Sequence, residues 1–289
     1  MRKALDYLLA IVKSFIWLFV FLVIQEAAMA QSMAFHALYN EEFIRIMSNP
    51  KYTSGGITIS EASQHTESIL EYMMLVSLFW FILMYVLDTQ LVHREDIKWL
   101  HSDRLKIKAV KIKYIPKFIA IGIVTNIMVS ILLFLLTWKF PEAAKYALNM
   151  SKYGGPISMI VCVGILAPLC EEIVFRYFIY NSARKNTSVI FAVILSSVLF
   201  GVSHNNLVQS SYACIFGLIF CAYNLKYKSI LPGIIIHSSI NLVTVVLSVE
   251  HAGKLGEVIL TMIALLAATI PALIIELRER LNNKHELHI

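Results

Sequence analysis

The apolar residues of this chain come in blocks, and block length restricts the fold more than any other feature. Blocks of roughly 17–25 residues recur along the 289-residue sequence, and that is the length a helix needs to cross about 30 Å of hydrocarbon at about 1.5 Å per residue. Hydrophobic residues make up 58% of the chain and charged residues 15%, against about 45–50% and about 25% in soluble domains. The sequence therefore predicts an all-α, polytopic membrane protein with about eight transmembrane helices. A single buried core of the soluble kind is not expected.

The predicted spans are Ser14–Ala30, Ile69–Val92, Phe118–Trp138, Ile157–Tyr180, Val189–His204, Ser211–Asn224, Ile230–Ser248 and Val258–Ile275. Polar residues 31–66 read as an outer loop with a short helix near Glu41–Met47, and 276–289 as a polar tail. Basic residues set the orientation, because cytoplasmic loops carry an excess of Lys and Arg. Eighteen of them fall in predicted inner segments, eight of those between His93 and Lys117, and six in outer ones. Both termini are thus expected in the cytoplasm of a multi-pass protein of the cell membrane, taken to be a bacterial plasma membrane. The basic start, the apolar centre and Ala28-Met29-Ala30 also fit a cleavable secretory signal; Lys13 and the length of the preceding segment favour an uncleaved anchor.

The net charge of +6 follows from this loop bias and calls for no nucleic acid; the inner loop 93–117 could also meet anionic lipid. Cys162, Cys170, Cys214 and Cys221 all lie in apolar blocks without a CxxC pair, so they read as packing residues rather than disulfides or a cysteine zinc site.

Against this background a few polar residues stand out. Glu171 and Glu172 lie inside the fourth block with Arg176 just beyond, although acids rarely sit within a span without a partner or a task. Residues four apart on a helix share a face. Glu172 and Arg176 can therefore pair, while Glu171 points away and stays free to act as a base. Two of the nine histidines, His204 and His237, belong to spans. His237 and Asn241 are four apart and present two hydrogen-bonding groups from one face. Counted along the helices at about 1.5 Å per residue, Glu171, His237 and Asn241 reach comparable depths and His204 lies higher.

Such a set suits hydrolysis of an amide. Glu171 and His204 would activate a water, and His237 and Asn241 would stabilise the oxyanion. Glu171, His204 and His237 could instead hold a zinc ion, since two histidines and a carboxylate form a catalytic zinc set. No HExxH motif is present, so such a site would have to assemble across three helices. Each feature taken singly also has a structural reading: an intrahelical ion pair, a histidine at the interface, or hydrogen-bonded glue between helices.

At these residues the chain resembles the CAAX protease and bacteriocin-processing family of intramembrane proteases, also called Abi proteins. The resemblance rests on EExxxR as Glu171–Arg176, FxxxH as Phe200–His204 and HxxxN as His237–Asn241, and it covers roughly Ile157–Ser248. It implies an eight-helix endopeptidase in which Glu171 and His204 activate water and His237 and Asn241 are the oxyanion donors. Family members are described both as metalloproteases and as metal-free glutamate proteases, so zinc stays open. Implied partners are membrane lipid and a peptide or membrane-protein substrate. The chain divides accordingly into an N-terminal transmembrane region (1–156), a catalytic core (157–248), and a last span with tail (249–289). Two other classes compete: an immunity or scaffold protein without enzymatic activity, and a proton-coupled transporter using Glu171, which the lack of a visible repeat disfavours.

Overall fold

A computed structural model describes residues 2–39, 59–92, 104–139, 156–204 and 207–250, and among these all regular structure is helical. The helices are α1 (Arg2–Tyr39), α2 (Ile59–Leu87, continued by a wider turn at Asp88–Val92), α3 (Ile115–Lys139), α4 (156–184), α5 (Val189–Val202), α6 (Leu207–Tyr227) and α7 (Leu231–Glu250). Five stretches are long and apolar enough to cross a membrane: Lys3–Ala34, Leu70–Gln90, Ile112–Leu133, Ile157–Arg184 and Leu207–Tyr227. Val189–Val202 and Leu231–Val246 are shorter apolar helices. The protein is an all-α polytopic membrane protein. The predicted span Val258–Ile275, the tail and the short helix near Glu41–Met47 lie outside the described residues.

Several helices overrun the predicted spans. α1 begins at Arg2 rather than Ser14 and continues to Tyr39, and α2 begins at Ile59. The predicted loop 31–66 is therefore helical over 31–39 and 59–66. An apolar count marks where a helix meets lipid, whereas the helix ends where its backbone meets a breaker, and 31–39 contains neither Gly nor Pro.

Polarity is arranged for lipid rather than water. Leu207, Ile157 and Ile190 are exposed, while Glu172, Arg176 and Asn224 are fully buried. Close helix contacts rest on small residues, as expected where van der Waals packing drives association. A Cβ on Gly217 of α6 would lie 2.9 Å from Ser197 Cα of α5. Ser188 opens α5 as its N-cap, its hydroxyl accepting the Phe191 N–H at 3.2 Å, which satisfies one of the donors a helix start leaves over.

α4 is the central element. It packs against α1, α2, α5 and α7, and α7 also packs against α3 and α6. It is not a uniform α-helix, because Cys162–Leu166 and Ile173–Tyr180 are π-wound. The first of these stretches stands just before Pro168, which has no N–H to donate.

Part of the predicted inner loop is also tied down. Leu105 is fully buried, and the Asn181 side chain both donates to its carbonyl at 2.7 Å and accepts its N–H at 2.9 Å. The Lys106 carbonyl accepts the Ile230 N–H at 3.1 Å, and Ser229 bonds both backbone groups of Lys108. This extended strand of chain joins the end of α4 to the start of α7, and side chains satisfy backbone groups that no helix ladder would.

Candidate active site

The site begins with the pair that helix geometry predicts. Arg176 Nε donates to Glu172 Oε2 at 3.2 Å, and both side chains are completely buried. The guanidinium lies between two rings, 5.0 Å from the centroid of Phe200 and 5.8 Å from that of Phe220. Its Nη1 donates to Ser196 Oγ at 2.8 Å, and that hydroxyl donates to the Phe175 carbonyl at 2.7 Å. Arg176 is thus fixed by α4, α5 and α6 together. A buried carboxylate needs such a partner, because removal from water costs several kcal/mol per ion.

Glu172 has further neighbours. Asn224 Nδ2 donates to its Oε2 at 3.2 Å, and His237 Nδ1 stands 3.9 Å from its Oε1. The latter two atoms are buried without a hydrogen-bond partner and face each other just beyond bonding range. On its other side His237 turns Nε2 towards Glu171 Oε2 at 3.6 Å. The imidazole therefore sits between the two acids, with its ring stacked on Phe220 at 4.8 Å between centroids. Arg176 balances one carboxylate of this cluster. The second, Glu171, faces the cavity and the imidazole.

That cavity measures about 250 Å³, and Glu171, His204, His237 and Asn241 all line it. α4, α7 and the residues just after α5 supply these groups. α3 and α6 close the other sides with Asn126, Ser130, Tyr212 and Phe216. His204 Nδ1 pairs with the Phe200 carbonyl at 2.8 Å, which leaves Nε2 for other chemistry. The sequence assigns Glu171 and His204 a water in common, and both line the cavity; the group that comes nearest to Glu171 is His237, whose Nε2 stands just outside hydrogen-bond range. The depth count that raised His204 above the others does not separate them, because all four groups reach one space.

Asn241 owes its orientation to the irregular winding of α4. Its Nδ2 donates to the Val163 carbonyl at 2.9 Å. In π-winding that carbonyl would accept from residue 168, which is proline, and the Ala167 N–H goes to Cys162. Val163 thus offers an acceptor its own helix does not use, and Asn241 takes it with one of its two amide hydrogens. Pro168 is legible in the sequence as a bend. That it frees a carbonyl for a helix 78 residues away is not.

Sequence reasoning also missed Asn224 and Ser196. Neither belongs to a spaced motif, and only the packing of α5 and α6 against α4 places them on the Glu172–Arg176 pair. Among the described residues, no three His, Cys, Asp or Glu side chains gather as a metal-holding group. Glu171, His204 and His237 as placed do not fit a three-ligand zinc set.

Comparison with known proteins adds an independent line. Residues 153–243 match the family described as Type II CAAX prenyl endopeptidase Rce1-like. A protein of Bacillus subtilis (strain 168) named "Putative membrane peptidase YdiL" is 32% identical over 92 residues, 32% of this chain and 38% of that protein. The chain thus matches under two fifths of the length of that curated relative. No solved structure matches the chain.

Proposed function

We propose that this chain, which over residues 153–243 carries a segment of the CAAX protease and bacteriocin-processing family, is an intramembrane endopeptidase. One observation carries the reading: a carboxylate, two histidines and an amide converge on a single cavity walled by apolar helices. Its substrate is a peptide or a membrane-associated protein, reached within a bacterial plasma membrane. The catalytic unit is the core 157–248, and both termini face the cytoplasm.

The chemistry follows from the positions. Glu171 accepts a proton from a water in the cavity, and the water oxygen attacks the scissile carbonyl. His204, through Nε2, helps to orient that water. The developing oxyanion takes hydrogen bonds from His237 Nε2–H and from the amide hydrogen of Asn241 that Val163 leaves over. Glu171 then returns the proton to the departing amine. Glu172 and Arg176 hold the wall on which Glu171 stands, and Phe200 and Phe220 exclude water around them.

The test is cleavage of a peptide library by purified protein in proteoliposomes, with bound metal measured on the same sample. Glu171→Gln and His204→Ala should abolish cleavage while membrane insertion is kept. Asn241→Leu should lower kcat by about 10²–10³, as loss of one oxyanion donor does. Cleavage should survive stoichiometric removal of metal. Full activity in both Glu171→Gln and His204→Ala would overturn the mechanism, and unchanged binding of a partner by the same variants would favour a non-enzymatic scaffold.

A further inference from the structure

The start of α7 is built in a way the hydrolytic reading does not use. A helix leaves its first N–H groups unpaired, and an N-cap side chain ordinarily accepts one from the second or third helical residue. Here the residue before α7 is Ile230, which has no side-chain acceptor. The Leu231 N–H goes to Ser229 Oγ at 3.1 Å, and Pro232 has none to give. The Gly233 N–H goes to Asn224 Oδ1 at 2.6 Å, on a different helix. Asn224 therefore caps α7 from α6.

The same amide does a second thing. Its Nδ2 donates to Glu172 Oε2 at 3.2 Å on α4. One fully buried side chain thus joins α4, α6 and α7, with its acceptor used on α7 and its donor on α4. The approach leaves no room for a Cβ unless these side-chain ends move. A Cβ at Gly233 would lie 2.6 Å from Glu172 Oε2 and 2.6 Å from Asn224 Nδ2.

The location of this joint gives it consequence. Gly233, His237 and Asn241 stand four and eight residues apart, on one face of α7, and at about 1.5 Å per residue they are spaced about 6 Å and about 12 Å along its axis. The joint fixes α7 against the acid pair near its start, and the Asn241–Val163 bond fixes it about two turns further on. His237 lies between, facing Glu171 and Glu172. A shift of α7 at Gly233 would carry both groups with it, since a helix translates as a rod.

We propose that Asn224 and Gly233 are positioning residues, a buried clasp that sets the register of α7 against α4 and so holds His237 and Asn241 over Glu171. The clasp rests on the hydrolytic reading for its catalytic consequence but not for its existence, and two readouts separate the two. The first is hydrogen exchange of the full-length protein in lipid nanodiscs, followed by mass spectrometry over residues 229–237. Asn224→Ala should speed exchange at the Gly233 amide at least tenfold, with α5 and the rest of α6 unchanged. The second is steady-state cleavage. Asn224→Ala should lower kcat by about 10–100-fold with KM within twofold of wild type, the scale of an ångström-level misplacement. Gly233→Ala should do the same, although alanine is the better helix former, because the loss comes from its Cβ and not from helix stability. This second variant decides the matter if Asn224→Ala fails to fold. Unchanged exchange at Gly233 in Asn224→Ala would overturn the clasp even if the protein cleaves nothing. A kcat within twofold of wild type in Gly233→Ala would overturn its catalytic consequence, as would exchange rising equally in every helix of Asn224→Ala.

Discussion

The Glu172–Arg176 pair allows a prediction that does not depend on finding a substrate. Arg176→Met leaves a carboxylate completely buried, with Asn224 as its remaining donor at 3.2 Å. Removing one partner of a buried ion pair costs about 3–5 kcal/mol, because the other charge stays desolvated. Loss of the contacts with Phe200 and Phe220, at 5.0 and 5.8 Å, adds about 0.5–2 kcal/mol. Glu172→Met strands the guanidinium in turn, although Ser196 and the two rings still hold it, so its cost falls at the lower end of the same range. In the double variant both charges are gone and two side chains of similar length fill the space. Ser196 still donates to Phe175, and Asn224 still accepts from Gly233. Replacing a buried pair by apolar residues is often neutral or better, so the double variant should lie within about 2 kcal/mol of wild type. The coupling energy of the cycle should then exceed about 3 kcal/mol, far above that of independent sites. Reversible denaturant unfolding in mixed micelles, on all four proteins, measures it. Additive losses, with coupling below about 1 kcal/mol, would refute the reasoning and mean that water reaches the pair.

Two further substitutions probe the helices around the site. Pro168→Ala restores an N–H that can compete for the Val163 carbonyl; kcat for peptide cleavage should fall about tenfold with KM unchanged, a fraction of the loss expected for deleting the donor outright. Gly122→Ala would place a Cβ 2.5 Å from Ser239 Cβ and 2.6 Å from the Ile236 carbonyl oxygen on α7. A backbone carbonyl cannot swing aside, so thermal unfolding in detergent should show a loss of about 1–3 kcal/mol, as overpacking does.

How much of this was legible beforehand differs from residue to residue. The Glu172–Arg176 contact was, because both groups belong to one helix and four residues make one turn. So was the shared face of His237 and Asn241. The approach of His237 Nε2 to Glu171 was not: it joins two helices, and no spacing within either one encodes it. Asn224 is the last residue of the predicted span Ser211–Asn224, and Gly233 lies near the start of the predicted span Ile230–Ser248. Their meeting depends on how α6 and α7 cross α4, which no spacing within either helix encodes.

The sequence alone therefore specifies what is local. Apolar block length makes the chain a set of membrane helices, and helical periodicity chooses which residues share a face. Loop charge further gives the expected orientation. These follow from the bilayer and from backbone geometry, and both act over a few turns. The cavity belongs to the assembled bundle. The acceptor freed at Val163, the amide of Asn224 shared between two helices and the imidazole held between two acids exist because residues from different helices come within about 3–4 Å. Distances of that kind are set by side-chain packing across the bundle, where the shape of every neighbour counts.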